Sequence, residues 1–411
     1  MLSLKQRHQV VTYFVSFFSF GLLISTLGIA LPYLAQHANV TLGEAALLFT
    51  MNSIGFLFGS LISGALYDVV KGKYLLSIAW VIVAFTTYLL PLLSIFFFMC
   101  ILNILFGVAN STIVVGCNTL ITRVDNEKTS SLLSAMHVVN GIGAFLTPIV
   151  FTIIIQRTGD VVLSYHIYSI FFLFLAIFVL FAPNHEIVKV IKSVDKKVVH
   201  HQHNNIFLIF LLALIAFVYV GSEISFNGWI FTFMKMQFPS FGGNAGYVTA
   251  AFWFFMTLGR ILFTKLGKYY KVRDLMLLTL SGAAVGLALI AFFPSMFYIV
   301  WIGTAITGFF MGSVFPFLLA FGDQTIGITG KVSGMLFAGT SFGGMLLPYI
   351  NGQIFEKFTP ATAMFSMLTT ILITFTIFFI IHKIVPKNEK EVQHISLKTV
   401  YEAPLVTKSD K

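Results

Sequence analysis

Two ionisable residues and a set of carboxamides stand inside otherwise apolar stretches, and their types define the chemistry open to this chain. Glu223 lies in Tyr219-Val220-Gly221-Ser222-Glu223, and Arg260 ends Thr257-Leu258-Gly259-Arg260. Ionisable groups deep in apolar segments cost several kcal/mol to bury, so they mark ion and substrate pathways by default. Glu223 could exchange a proton, hold a ligand hydroxyl or help coordinate sodium; a protonated glutamate bonded to a neighbouring helix is the bland alternative. Asn103, Gly107, Asn110 and Val114 follow one another at helical spacing and share a face, with Asn118 turned slightly aside. A carboxamide both donates and accepts, as a sugar hydroxyl requires. His137 shares a face with Gly141, Ala144 and Pro148, flanked by Asn140, and Tyr219, Glu223, Asn227 and Ile230 form another face. Trp229 and Trp253 could wall a pyranose ring, and Ser341 adds a hydroxyl. The substrate-binding candidates are therefore Asn110, Asn118, His137, Asn140, Glu223, Asn227, Trp229, Trp253 and Ser341, with Glu223 also the candidate for ion coupling. Each polar residue taken singly is equally a helix-packing hydrogen bond.

Bond-making chemistry has no comparable constellation. His185-Glu186 lacks the second histidine of a zinc-binding helix, and no Gly-rich loop precedes a Lys-Ser or Lys-Thr pair. No enzyme activity, cofactor or ATP drive is expected. His200-His201-Gln202-His203 reads as part of a solvated linker in preference to a metal site.

The elements that must position these residues are membrane helices. The chain has 411 residues, of which 58% are hydrophobic and 10% charged, with mean hydropathy +0.93. Soluble domains carry about a quarter charged residues, so most of this surface must face lipid. Spans are predicted near 9–35, 43–69, 74–92, 95–121, 131–156, 161–182, 206–237, 244–266, 274–293, 296–321, 331–355 and 360–384. The fold class is an all-α polytopic membrane protein of twelve transmembrane helices. The expected organisation is a six-helix bundle at 1–183, a linker at 184–205, a second bundle at 206–385 and a tail at 386–411. The first apolar run is too long for a cleaved signal peptide and is expected to be retained. Cys100 and Cys117 fall on one span about 25 Å apart, too far to bridge.

The net charge of +10 could suggest nucleic acid, but its placement follows topology. With the N-terminus inside, Arg157, Lys235 and Lys357 fall outside and Arg260 within a span, while the rest of the 25 basic residues are cytoplasmic. Both termini are expected in the cytoplasm, without a nucleic-acid partner. An internal repeat appears at an offset of 200 residues: Gly21, Ile24, Ser25 and Gly28 recur as Gly221, Ile224, Ser225 and Gly228. Gly59 recurs as Gly259, and Gly143, Leu146 and Pro148 recur as Gly343, Leu346 and Pro348. Two six-span repeats of like orientation place a site between them and suit alternating access.

The segment Gly64-Ala65-Leu66-Tyr67-Asp68-Val69-Val70-Lys71-Gly72-Lys73 is similar to the Gly-x-Leu-x-Asp-Arg-x-Gly-Arg-Arg signature of the major facilitator superfamily, with Val69 where arginine is usual. Tyr219 to Glu223, Gly228-Trp229-Ile230, Phe252-Trp253 and Thr257 to Arg260 resemble the fucose/glucose/galactose–proton symporter branch and related sodium-dependent glucose transporter-like proteins. Gly116-Cys117-Asn118-Thr119, and His137 followed by Gly141-Ile142-Gly143-Ala144, carry the same resemblance. It implies a hexose-like monosaccharide carried by alternating access with proton or sodium symport. That branch usually also places acids on the first and fourth spans. Here those spans hold Ser25 and Thr26, and Asn103, Asn110 and Asn118, so the coupling ion stays open. Asp68 and Arg260 are the gating candidates. Asp68 is expected to reach the positive N-terminus of the eleventh span, near residues 330–333. The depths of Glu223 and Arg260 give them separate roles. Gly55, Gly59 and Gly64 are expected to serve close helix packing. An exporter of amphipathic compounds is the rival reading, and a non-transporting sensor a minor one. A monomer in a bacterial inner membrane is expected.

Overall fold

A computed structural model describes residues 3–125, 128–183, 206–327 and 330–385. The expected linker with its histidine cluster and the expected tail lie outside the described residues. Among the described residues, twelve long helices follow one another. They are α1 (Leu4–His37), α2 (Leu42–Val69), α3 (Gly72–Leu92), α4 (Phe96–Thr122), α5 (Thr129–Thr158) and α6 (Val161–Leu180). The second set is α7 (Ile206–Gln237), α8 (Gly246–Leu266), α9 (Val272–Phe292), α10 (Phe297–Ile326), α11 (Gly330–Lys357) and α12 (Pro360–Ile384). Eleven are long and apolar enough to cross a membrane; the glycine-rich α11 is the exception.

Most ends fall within a few residues of expectation, with two instructive departures. α1 starts at Leu4 because Ser3 and Gln6 form a reciprocal cap, Gln6 N donating to Ser3 Oγ at 3.2 Å and Ser3 N to Gln6 Oε1 at 2.9 Å. Such a cap begins a helix in polar sequence before the apolar run. α10 runs on to Ile326, beyond the expected 321, after an interruption at Gly312 and Ser313.

The repeat is built on glycines at helix crossings. In the first repeat, a Cβ on Gly143 of α5 would collide with the Phe18 carbonyl of α1; in the second, one on Gly343 of α11 would collide with the Phe217 carbonyl of α7. Gly59 likewise meets the Val108 backbone of α4, and Gly259 meets the Phe309 carbonyl of α10. Small residues let backbones approach where lipid provides no hydrophobic drive between helices. Gly55 plays the expected packing part against Ile104, but Gly64 has nothing near it, which corrects its assignment as a packing position.

The two ends of the described chain, Ser3 and Val385, lie on one face, here the terminal face. There Gln6 Nε2 donates to Val124 O at 2.8 Å, Gln9 Nε2 to Pro183 O at 3.2 Å and Arg273 Nη2 to Val385 O at 3.4 Å. The repeats meet towards the opposite, distal face along three lines. α1 meets α7 where Gly28 abuts Gly228 and Lys235 sits 4.1 Å over the Tyr33 ring. α2 meets α11 where Thr50 Oγ1 donates to Met345 O at 2.6 Å, and α5 meets α8 where Gln156 Nε2 donates to Gly243 O at 2.9 Å. Towards the terminal face, α4 packs on α1, α2, α3 and α5 of its own repeat, and the second segment of α10 packs on α7 and α9 of its own. The distal side is closed.

A central site between the repeats

Two helix breaks organise the site. α1 is interrupted at Ser25, between segments Leu4–Ile24 and Thr26–His37. Carbonyls freed by such a break need partners inside a membrane. Thr147 Oγ1 donates to Leu22 O at 2.7 Å, Thr26 Oγ1 to Leu23 O at 2.8 Å and Asn227 Nδ2 to Ile24 O at 3.1 Å. α10 is interrupted because Pro316 carries no N–H for the carbonyl of Gly312, four residues earlier. Arg260 Nε donates to that carbonyl at 3.0 Å, and the Tyr219 hydroxyl donates to the neighbouring Met311 carbonyl.

Asn227 is the junction at the distal end of the site. Its Oδ1 accepts from Trp253 Nε1 at 2.7 Å and from Ser25 Oγ at 3.2 Å, while its amide nitrogen holds Ile24 O. One carboxamide thus ties the break in α1 to α7 and α8. Asn227, Trp253 and Ser25 are 6%, 5% and 0% exposed. One turn nearer the terminal face Glu223 is half-buried, and His137 beyond it is exposed. Accessibility rises from a sealed distal floor towards the terminal face.

The ionisable groups form a connected set. The Tyr219 hydroxyl lies within hydrogen-bonding reach of the Glu223 carboxyl, and the Arg260 charge acts on Glu223, Tyr219 and His137. No ion pair between Glu223 and Arg260 occurs among the described residues, as their different depths imply. The link between repeats is direct: Gly141 of α5 abuts Thr257 of α8, and His137 and Arg260 lie one turn below that contact. The His137 ring also packs edge-on against Phe17 of α1 at 5.1 Å.

The other candidates divide. Asn110 is 5% exposed and its Oδ1 has no hydrogen-bond partner. Asn118 Nδ2 turns back to Val114 O of its own helix at 2.8 Å, and Asn103 lines a separate crevice within the first repeat, with Thr26, Thr87, Phe106 and Tyr165. Asn140 Nδ2 holds Phe17 O at 3.1 Å, tying α5 to α1. Trp229 is fully buried, stacks on Phe355 at 4.9 Å and donates to Pro348 O at 3.0 Å. It is an α7–α11 packing residue in this state, which corrects its assignment as a pocket wall: its ring lies under the distal closure. Ser341 is half-buried on α11. Among the described residues the Asp68 carboxylate pairs with Arg123 Nη2 at 2.9 Å, at the end of α4; the side chains of residues 330 and 331, where part of the expected α11 contact falls, lie outside the described ones. Sequence reasoning had not nominated Tyr219 or Ser25. Pro316 announces that Gly312 O needs a donor, which Arg260 supplies; no comparable signal pointed to Tyr219 or Ser25.

Residues 13–348 match the family model described as Major Facilitator Superfamily. A mouse protein named sodium-dependent glucose transporter 1A is 24% identical over 94% of this chain and 99% of its own length. The human sodium-dependent glucose transporter 1 is 22% identical over 84% of this chain and 73% of its own. A crystal structure of the nucleoside transporter NupG superposes with a TM-score of 0.74 at 14% identity, covering 91% of this chain and 99% of that one. The fold and the relatives are those of transporters, not enzymes. With twelve helices in two repeats meeting at a polar, membrane-embedded site, this multi-pass membrane protein belongs to the major facilitator superfamily.

Proposed function

We propose that the chain carries a neutral, hexose-like monosaccharide through the central site by alternating access, coupled to a proton or sodium ion. The observation that carries this reading is the polar junction at the break in α1, where Asn227 accepts from Trp253 Nε1 at 2.7 Å and from Ser25 Oγ at 3.2 Å. Carboxamide, indole and hydroxyl groups of this kind offer uncharged donors and acceptors to a sugar's hydroxyls. The names of the mouse and human relatives agree with it.

In this mechanism the two bundles, 1–183 and 206–385, rock about the site, with the linker 184–205 joining them. The site opens to the terminal face, and the placement of the basic residues supports the reading of that face as cytoplasmic; a bacterial inner membrane is part of the same reading. In this reading His137 is met first, then Asn227 and Trp253, with Asn110 offering a buried, unpartnered carboxamide oxygen from α4. Tyr219 gives Glu223 a lever on the fold. An ionised Glu223 competes with Met311 O for the Tyr219 hydroxyl proton, whereas a protonated Glu223 can donate to the phenolic oxygen and leave that proton on Met311. Loading the carboxyl with a proton or a sodium ion thus changes how firmly α7 holds the break in α10. Coupling follows if the solute binds best in one of these two arrangements. The unit acts as a monomer.

Equilibrium binding of labelled glucose to purified protein in nanodiscs tests the substrate class. Competition is run with galactose, fucose, mannose, a nucleoside and a cationic dye. Displacement by hexoses and not by the nucleoside or dye is the expected result. Displacement by dye alone would replace this reading with the amphipathic exporter.

A further inference from the structure

The distal closure contains a carboxylate that the transport reading has not used. At the end of α11, Glu356 Oε2 accepts from Thr41 Oγ1 at 2.7 Å and from Gly43 N at 2.8 Å, across the gap between the repeats. Thr41 is already the N-cap of α2: its hydroxyl accepts from Glu44 N at 3.1 Å, and Glu44 Oε2 takes the Thr41 N–H at 2.8 Å. That reciprocal cap leaves the Gly43 N–H and the Thr41 hydroxyl proton for another acceptor. Glu356 supplies it, at the capped turn Leu42–Ala45 that leads into the long segment Leu47–Val69 of α2. Hydrogen bonds to an ionised acceptor are the short, strong class. A Cβ at Gly43 would occupy the place of the Glu356 carboxylate and crowd Gln353, so the glycine is required by the contact.

The internal repeat brings the corresponding two positions together at a second interface. Adding 200 to Gly43 gives Gly243, and subtracting 200 from Glu356 gives Gln156. Those two residues meet at the other interface, where Gln156 Nε2 donates to Gly243 O at 2.9 Å and to Asn244 Oδ1. The same pair of positions therefore closes the distal face twice, once through a neutral amide and once through a carboxylate.

We infer that Glu356 is the gate carboxylate of the distal face: it locks α11 onto the N-terminus of α2 while the site is open at the terminal face, and it must release Thr41 and Gly43 before the site can open distally. The inference rests on the alternating-access reading but not on the identity of the solute.

The test reads accessibility, which needs no substrate. In a background with Cys100 and Cys117 replaced by serine, one reporter is Ser53→Cys, beside Gly344 of α11 under the distal closure, and the other is His137→Cys, open to the terminal face. Each is labelled in oriented vesicles with a membrane-impermeant maleimide from its own side. Glu356→Ala and Glu356→Gln are expected to raise distal labelling of Ser53→Cys about tenfold, the scale of losing charge-assisted bonds, and to lower terminal labelling of His137→Cys. Thr41→Val with Gly43→Ala attacks the same contact from α2 and should give the same shift. Combining it with Glu356→Ala should add nothing further, because both remove one interaction. Unchanged distal labelling in correctly assembled protein overturns the assignment. So does a rise at both faces, which would report a loosened fold. Failure of glucose to bind would leave these labelling outcomes unaffected, so the two proposals fail separately.

Discussion

Replacing Asn227 with alanine removes three hydrogen bonds at once: those from Trp253 Nε1 at 2.7 Å and Ser25 Oγ at 3.2 Å, and that to Ile24 O at 3.1 Å. Two of the three cross from the second repeat to the break in α1, so they exist while that break and α7 are in contact. Side-chain hydrogen bonds between membrane helices average about 0.6 kcal/mol each, which makes the two that cross the repeats worth about 1.2 kcal/mol. At a factor of ten per 1.4 kcal/mol, the ratio of distal-open to distal-closed protein should rise about sevenfold. Spin labels at Asn39→Cys and Ser240→Cys, exposed positions on the distal side of the two repeats, report this by electron–electron distance measurement. The substitution should add or enlarge a longer-distance population. An unchanged distance distribution in folded protein would refute the argument that Asn227 ties the repeats together across the site.

Three further outcomes follow from the same geometry. Glu223→Gln should abolish gradient-driven accumulation of sugar while sparing exchange, and full accumulation would remove Glu223 from coupling. Asn110→Ala deletes a buried acceptor that has no partner, so thermal unfolding in detergent should shift by less than about 1 kcal/mol while sugar affinity falls; unchanged affinity would return Asn110 to packing. Arg260→Gln withdraws the donor from Gly312 O at the α10 break, and hydrogen exchange over Val314–Ile326 should quicken; unaltered protection would show that the break is held by other contacts.

The fold was legible because membrane spans are read from hydropathy, and helix ends were displaced where local chemistry overrode it, as at the Ser3–Gln6 cap. Repeat glycines were legible as a pattern, and their purpose emerges from the crossings they permit. Depth and face along a helix could be counted, and the structure joins Asn227 to Trp253 with Glu223 one turn away on α7. Side-chain direction could not be counted. Trp229 shares a helix with Glu223 and Asn227, yet its indole stacks on Phe355 because α11 lies on that flank of α7. Asn140 is beside His137 in sequence but faces the Phe17 carbonyl. Asp68 illustrates a different gap: among the described residues its carboxylate pairs with Arg123 at the end of α4, a partner that counting along the chain does not single out.

Counterflow of labelled glucose in proteoliposomes tests the central claim most directly, because exchange through an alternating-access carrier requires the solute and no ion gradient. Wild type and Glu223→Gln are run side by side with unlabelled hexose inside. The account predicts transient glucose accumulation by both proteins under exchange, and by wild type alone when an imposed proton or sodium gradient replaces the internal sugar. Absence of glucose counterflow in wild-type vesicles that still transport a cationic dye would contradict it.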